Sequence, residues 1–517
     1  LTVVRRWLPL IAMALAAPAM AQTTQGPANR PLSAIDWLSR SVEEPAVSPE
    51  PVPRPRLPEA PVAQGAGTPQ ITVTPLDAAT PQAIGTLPQA LTGLPPTLWT
   101  ASDTTTLTTL IQAVGEPGLP ALHDLLLTLL LAQAEAPAGG GHALLLARID
   151  KLLDLGNLNE ALALTRAADP TDPDVFRRWF DIALLTGTED APCDVMRSAP
   201  GLAPTFPARI FCLARGGDWM AAALTLNTHR ALGDMSEEDD ALLSRFLDAD
   251  LVDPDAPLPP PERLSPLIFR MREAIGEGMS TGPLPLAFAS ADLRDTVGEK
   301  ARLDAAERLA LHGALSAQDL AQVMSRVTPA ASGGVWDRVD AFQKLNAAVN
   351  AADPDAVAQT LPAAWDAMRT IRAEVAFASL YAAPLARLDL TGEAATIATT
   401  LGLLSDDYAG VADRTPSLDP LLRAVATGRF AAIAPQTAME EAIVAGFTQK
   451  VPPEVFADLL AEDKLGETLL RVLPVFDAGV AGDARSVTDA LLVLRRAGLD
   501  DTARRATLQL LLLDRTT

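Results

Sequence analysis

KLLDLGNLNEALAL, residues 151–164, decides the fold. It holds Leu152, then Gly156 four residues later, then Ala161 after a further five. A glycine at that point takes the left-handed conformation that stops one helix, and the upstream leucine faces the partner helix. Asn159 is placed to cap the next helix, and the alanine lets the two helices approach closely. The same spacing recurs as Leu213, Gly217 and Ala222 in CLARGGDWMAAALTL, and as Leu494, Gly498 and Ala503 in LVLRRAGLDDTARRA. There Asp218 and Asp500 stand where a cap is needed. Leu309 and Gly313, followed by Ser316 and Asp319, repeat the turn and cap without the alanine. The expected fold is all-α, an irregular helical-hairpin array of α-solenoid type.

Working outward, segments of helical periodicity run from about 98 to the end of the sequence, split by Gly, Pro and Asp. The proline cluster DPDAPLPPPERLSP (253–266) divides them into a half at 98–252 and a half at 267–517, as a linker or a long surface loop. Residues 22–97 read as a disordered, proline-rich arm, densest in EEPAVSPEPVPRPRLPEAPV at 43–62. ITVTPLD (71–77) is an isolated strand candidate. Within the arm, PLSAIDWLSRSV (31–42) places Leu32, Ile35, Leu38 and Val42 on one face at helical spacing, with Trp37 beside them. Ser33 and Asp36 form a capping box, giving a short helix at 32–42. An apolar helix on a proline tether suggests a peptide that docks on a partner.

Residues 1–21 have the pattern of a secretory signal. Arg5 and Arg6 precede an apolar run from Trp7 to Ala17, and Ala19-Met20-Ala21 is a small-x-small cleavage site. The next most apolar stretch, LPALHDLLLTLLLAQA (119–134), is interrupted by His123 and Asp124 and is too short to span a bilayer. The expected location is periplasmic or secreted, with no membrane span. Cys193 and Cys212 are the only cysteines, and in an exported chain they are expected to form a disulfide. Such a bridge contributes about 3 kcal/mol in the chain-entropy account.

Chemistry is sparse. Acidic side chains outnumber basic ones 64 to 41, and the formal charge is −23, which excludes a nucleic-acid binder built on phosphate contacts. His123, His142, His229 and His312 are scattered, with no H-E-x-x-H pair, and His123 and His312 read as structural residues inside helices. There is no G-x-S-x-G elbow and no phosphate loop, and GEGMSTG at 276–282 is a loop. SEEDD (236–240) reads as a helix start capped by Ser236. No residue set points to a cofactor, a metal or a catalytic group.

Two resemblances stand beside this reading. The 151–164 turn resembles a tetratricopeptide-type hairpin, since Gly156, Ala161, Ala168 and Pro173 fall at that family's spacing, although its early Trp and Gly are absent. The layout also resembles a family of exported alphaproteobacterial proteins without an assigned activity, through PLSAIDWLSRSV (31–42), LLARIDKLLDLG (145–156), RRWFDIALLTGTEDAPC (177–193), FPARIFCLARGGDW (206–219) and ASGGVWDRV (331–339). Some members carry an antifreeze-glycopeptide label, and the resemblance implies no functional residues. The expected function is a non-catalytic periplasmic scaffold for protein–protein interaction with an unknown envelope partner. The alternatives are an envelope-acting hydrolase with a motifless carboxylate site and, remotely, an ice-binding protein resting on Thr-rich 102–110 and 393–402.

Overall fold

The Leu-x3-Gly spacing is a helix stop built from two hydrogen bonds. At the first copy the Gly156 amide donates to the Leu153 carbonyl (3.1 Å) and the Asn157 amide donates to the Leu152 carbonyl (2.8 Å). Gly217 with Asp218 and Gly498 with Leu499 repeat the pair, the second bond ending on Leu213 and Leu494 (2.9 Å each). This is the Schellman arrangement, and φ values of 78°, 82° and 80° at the three glycines are what it requires. Ala161, Ala222 and Ala503 are buried, as close helix approach demands. Asp218 caps its helix through the Ala221 amide (3.1 Å). Asn159 and Asp500 do not cap. Their helices, Leu158–Ala167 and Asp500–Leu512, start early enough that Asn157 and Leu499 occupy the cap position.

The computed structural model describes residues 37–38, 83–251, 253, 256–330, 333–431 and 433–513. The signal segment, the strand candidate 71–77, and Leu32, Ile35 and Val42 of the apolar stripe lie outside them. Within the described residues the chain is an α-helical hairpin array. The only β feature there is an isolated parallel bridge between Leu87 and Ala132. That bridge moves the start of the body upstream of residue 98. Leu94 is buried, and the Ile84 carbonyl accepts from Arg148 Nη1 at 2.8 Å, because the buried Arg148 guanidinium needs carbonyl partners in this segment.

Three main cores organise the array. One surrounds the disulfide, between Phe176 and Met271. A second is built between Leu303 and Leu404 with Leu513. The third joins the two ends of the described body: Leu122, Leu126 and Leu152 share it with Leu473, Leu491 and Leu508. Helix Pro120–Leu131 packs on Asp500–Leu512, and Thr104–Ala113 packs on Leu465–Val480. Hydrogen bonds close this seam. The Gly118 amide donates to Asp477 Oδ1 (2.9 Å), the Ala121 amide to Gln509 Oε1 (2.8 Å), and the Gly466 amide to the Leu98 carbonyl (3.1 Å).

The 253–266 segment therefore does not separate independent cores. The described residues from Trp37 onward belong to one compact unit, and Phe269 and Phe288 share a core with Leu152. The described part of the proline-rich stretch is bonded to the body at Ala256 and Leu258. Arg245 Nη2 donates to the Ala256 carbonyl (2.8 Å), and the Leu258 amide donates to Glu277 Oε2 (3.0 Å).

Candidate functional site

Cys193 in helix Asp190–Ser198 is bonded to Cys212 in helix Phe206–Arg215, with Cα atoms 5.1 Å apart. The bridge staples two neighbouring helices inside the core that Phe176 and Phe211 fill. Cys193 and Cys212 are both buried there. Gly156, Gly217 and Gly498 sit at three separate turns and define no common site. Of the apolar stripe, Trp37 (9% exposed) and Leu38 (3%) are in the body's own core. The Trp37 ring meets Phe288 edge-on at 5.5 Å, and Phe288 meets Phe269 the same way. These two residues, expected on a face presented to a partner, are packed against the body. Their apolar surface already has an internal one, which local helical spacing does not reveal.

The structure instead assembles a cavity of about 580 Å³ beside the closing seam. Helix Pro120–Leu131 brings His123 and Asp124, the turn after helix Glu299–Leu311 brings His312 and Gly313, and helix Asp500–Leu512 brings Arg505 and Gln509. Glu116 and Asp406 enter from connecting segments. His312 Nδ1 lies 2.6 Å from Glu116 Oε2, an ion pair when the imidazole is protonated. Arg505 donates to Asp406 (2.8 Å) and Asp501 (2.6 Å), with its guanidinium over the Tyr408 ring.

Asp124 lines this cavity with its side chain exposed. Enclosure pushes its carboxyl up to about 6; Asp406 adds to the shift and Arg505 opposes it. His123 is moved the other way, because burial disfavours its charged form. Its Nε2 is buried against Gly313. His312 is the C-cap residue of helix Glu299–Leu311 and pairs with Glu116, and Glu116, Asp124, Asp406 and Arg505 carry no motif at all. One signal pointed here: a His–Asp pair interrupts the most apolar stretch of the chain.

His142, Asp172 and Asp174 bring three possible metal-ligand atoms within 4.8 Å. A helix cap accounts for some of this geometry, since Asp172 Oδ1 accepts from the Asp174 and Val175 amides at 3.0 and 3.1 Å. Ser236 caps helix Glu237–Leu247 through the Asp239 amide (3.0 Å), so SEEDD is a helix start. Hydroxyls of the Thr-rich 393–402 stretch bond back to carbonyls one turn earlier, as Thr399 does to Ala395 (2.8 Å).

A second surface stands out. Among the described residues nine large hydrophobics are exposed, and four of them line one helix, Trp219–Leu232. Met220 (83% exposed) and Leu224 (68%) are one turn apart, with Trp219 and Leu232 at the helix ends. Scattered exposed apolar residues are ordinary; a concentration on one helix is not. Among the described residues no helix is long and apolar enough to cross a membrane. No family model, curated protein or solved structure matches the chain.

Proposed function

We propose that the chain is a non-catalytic periplasmic interaction scaffold that docks a partner on helix Trp219–Leu232. The exposed pair Met220 and Leu224, one turn apart on that helix, carries the reading. Each large side chain buried by a partner contributes about 1.5–3 kcal/mol before ordering costs. The next helix opens with Glu237, Glu238, Asp239 and Asp240, on a chain of net charge −23. The partner that complements both is a basic amphipathic segment. Met220→Asp with Leu224→Asp is expected to abolish partner crosslinking in intact envelopes while thermal melting is unchanged. A control pair, Val451→Asp with Val455→Asp, alters exposed side chains elsewhere and should leave the crosslinks intact. Retention of the same crosslinks in the Met220/Leu224 variant would rule out this face.

A second reading, an envelope-acting hydrolase, has one observation in its favour. A carboxyl pushed up to about 6 beside an imidazole held neutral by burial is the poise a general acid requires. It expects turnover of an envelope polymer by the purified protein, lost in Asp124→Asn.

A further inference from the structure

Independently of the docking helix, we infer that His142, Asp172 and Asp174 form a surface site for a divalent transition ion of the zinc class. Their ligand atoms lie within 4.8 Å of one another, with the histidine exposed and both carboxylates half-buried, although His142 and Asp174 are 32 positions apart in sequence. His142 stands in the first turn of helix Gly141–Asp154. Asp172 is the N-cap of helix Pro173–Thr186, and Asp174 stands in its first turn. The buried Asp150–Arg178 pair locks the same two helices together further along, which holds the three residues at a fixed separation.

Capping accounts for one oxygen only. Asp172 Oδ1 takes the Asp174 and Val175 amides, while Oδ2 lies toward the imidazole, 3.7 Å from Nδ1. Asp174 Oδ2 lies 3.2 Å from the ring's other nitrogen, Nε2. A neutral imidazole carries a single N–H, so one of the two carboxylates faces a bare lone pair. Among the described residues no lysine or arginine pairs with either carboxylate. Arg177 senses the charge of Asp174, but it senses Asp181 and Asp150 as well and donates to neither member of the group. The group therefore lacks a cation that a lone pair and two carboxylate oxygens can share. A proton fills that place by charging the imidazole. A metal ion fills it with the ring neutral and draws on all three residues at once. Two helix starts oppose a cation with about half a unit charge each, against two full carboxylate charges.

The donor set decides the class of ion. Magnesium and calcium take about six or more oxygens, whereas one imidazole nitrogen with two carboxylates suits zinc and its neighbours in the transition series. Zinc holds nitrogen and oxygen at about 2.0–2.2 Å, which sets tetrahedral ligand atoms about 3.4 Å apart. The separations of 3.2 and 3.7 Å bracket that spacing. Three protein ligands leave the fourth position to water.

Titration calorimetry on the untagged, chelator-washed protein with zinc chloride and, separately, magnesium chloride tests the site. Zinc is expected to saturate at a single equivalent and to bind more tightly than magnesium. Cobalt chloride should give the visible absorption of a tetrahedral site, and zinc should abolish it. Loss of a ligand costs at least as much affinity as loss of a supporting group, so His142→Ala and Asp174→Asn should each weaken zinc about tenfold or more. His312→Ala, at another histidine that meets a carboxylate, should leave zinc affinity unchanged. No saturable zinc binding, magnesium bound as tightly as zinc, or an unchanged zinc affinity in His142→Ala overturns the inference. His142 is exposed, so its variant is expected to fold, and it decides alone if Asp174→Asn does not.

Discussion

The imidazole of His123 lies against the α-carbon of Gly313, so closely that a β-carbon at 313 would sit 2.8 Å from Cδ2 and 2.9 Å from Nε2. The contact joins a helix near the start of the body to a hairpin turn in its middle, across the cavity wall. Gly313 also needs its φ of 67° to end helix Glu299–Leu311. Gly313→Ala therefore meets two penalties, a strained left-handed alanine of about 1 kcal/mol and a collision with a buried ring. Gly217→Ala meets only the first, since nothing lies within 4 Å of a β-carbon there. Denaturant melts should show Gly313→Ala to be the more destabilising by about 1–3 kcal/mol. Equal losses would mean that the ring yields at no cost.

Three hairpins turn without glycine. Ala352, Arg372 and Asp463 have φ values of 51°, 53° and 57°, and each is followed by the same amide-to-carbonyl bond that marks the glycine turns. Ala352 is exposed, so its side chain contributes no core packing. Ala352→Gly is expected to raise stability by about 0.5–1 kcal/mol, the relief of left-handed strain less the added freedom of the unfolded chain. Equilibrium unfolding in urea would reveal it, and a loss of stability would contradict the strain argument.

These turns also mark how far the sequence could be read. Glycine turns, the Asp218 and Ser236 caps and the cysteine pair are encoded within a few residues of each other or in a small count of rare residues, and periodicity makes them legible. A turn at Ala352 is invisible because alanine carries no left-handed preference. The seam is invisible for a different reason. Nothing local in 120–131 specifies 500–512 as its partner, so the cavity residues brought together there have no sequence spacing to detect. Only Asp124, a charge inside an apolar run, announced itself, and its neighbours Asp406 and Arg505 lie far along the chain.

Asp150 and Arg178 form a two-bond ion pair in the interior. Arg178 Nε donates to Oδ1 at 2.6 Å and Nη2 donates to Oδ2 at 2.7 Å, with both residues buried. Truncating Asp150 removes both of these bonds from a buried guanidinium. Asp150→Ala is expected to destabilise by about 3–5 kcal/mol, and Asp150→Leu combined with Arg178→Met should recover much of the loss. A double variant no better than Asp150→Ala would show that the other Arg178 bonds, such as that to the Asp174 carbonyl (2.9 Å), matter more.

The cavity also makes stability depend on pH. The Asp124 carboxyl has its folded pKa raised from 3.8 to about 6, so the folded chain holds that proton more tightly than the unfolded one. Its contribution is fully favourable below the unfolded value and declines as pH rises between about 4 and 6. Because the group is open to solvent, the effect is discounted to about 1 kcal/mol. Asp124→Asn removes the titration. Melting temperatures should show the variant gaining on the parent at about pH 7.5 and not at about pH 4. An equal difference at both would place the titration elsewhere.

Leu38 and Trp37 decide whether the PLSAIDWLSRSV stretch serves a partner or the body. Leu38 is almost wholly enclosed, and Trp37 adds an edge-on contact to Phe288, which lies in the core shared by both ends of the described body. An aspartate at 38 must either bury a carboxylate without a counter-ion or withdraw the segment and expose the surface it covers. The first costs several kcal/mol, and the second forfeits about 1.5–3 kcal/mol for the leucine and a similar amount for the tryptophan. The cheaper course sets the outcome, so Leu38→Asp should destabilise by about 3–5 kcal/mol and leave Trp37 emitting from water rather than from an apolar contact. Phe288→Ala should reproduce the emission change without altering the segment itself. If Leu38→Asp melts with the parent and loses only crosslinked partners, the stretch is a docking peptide and its contact with Phe288 contributes little.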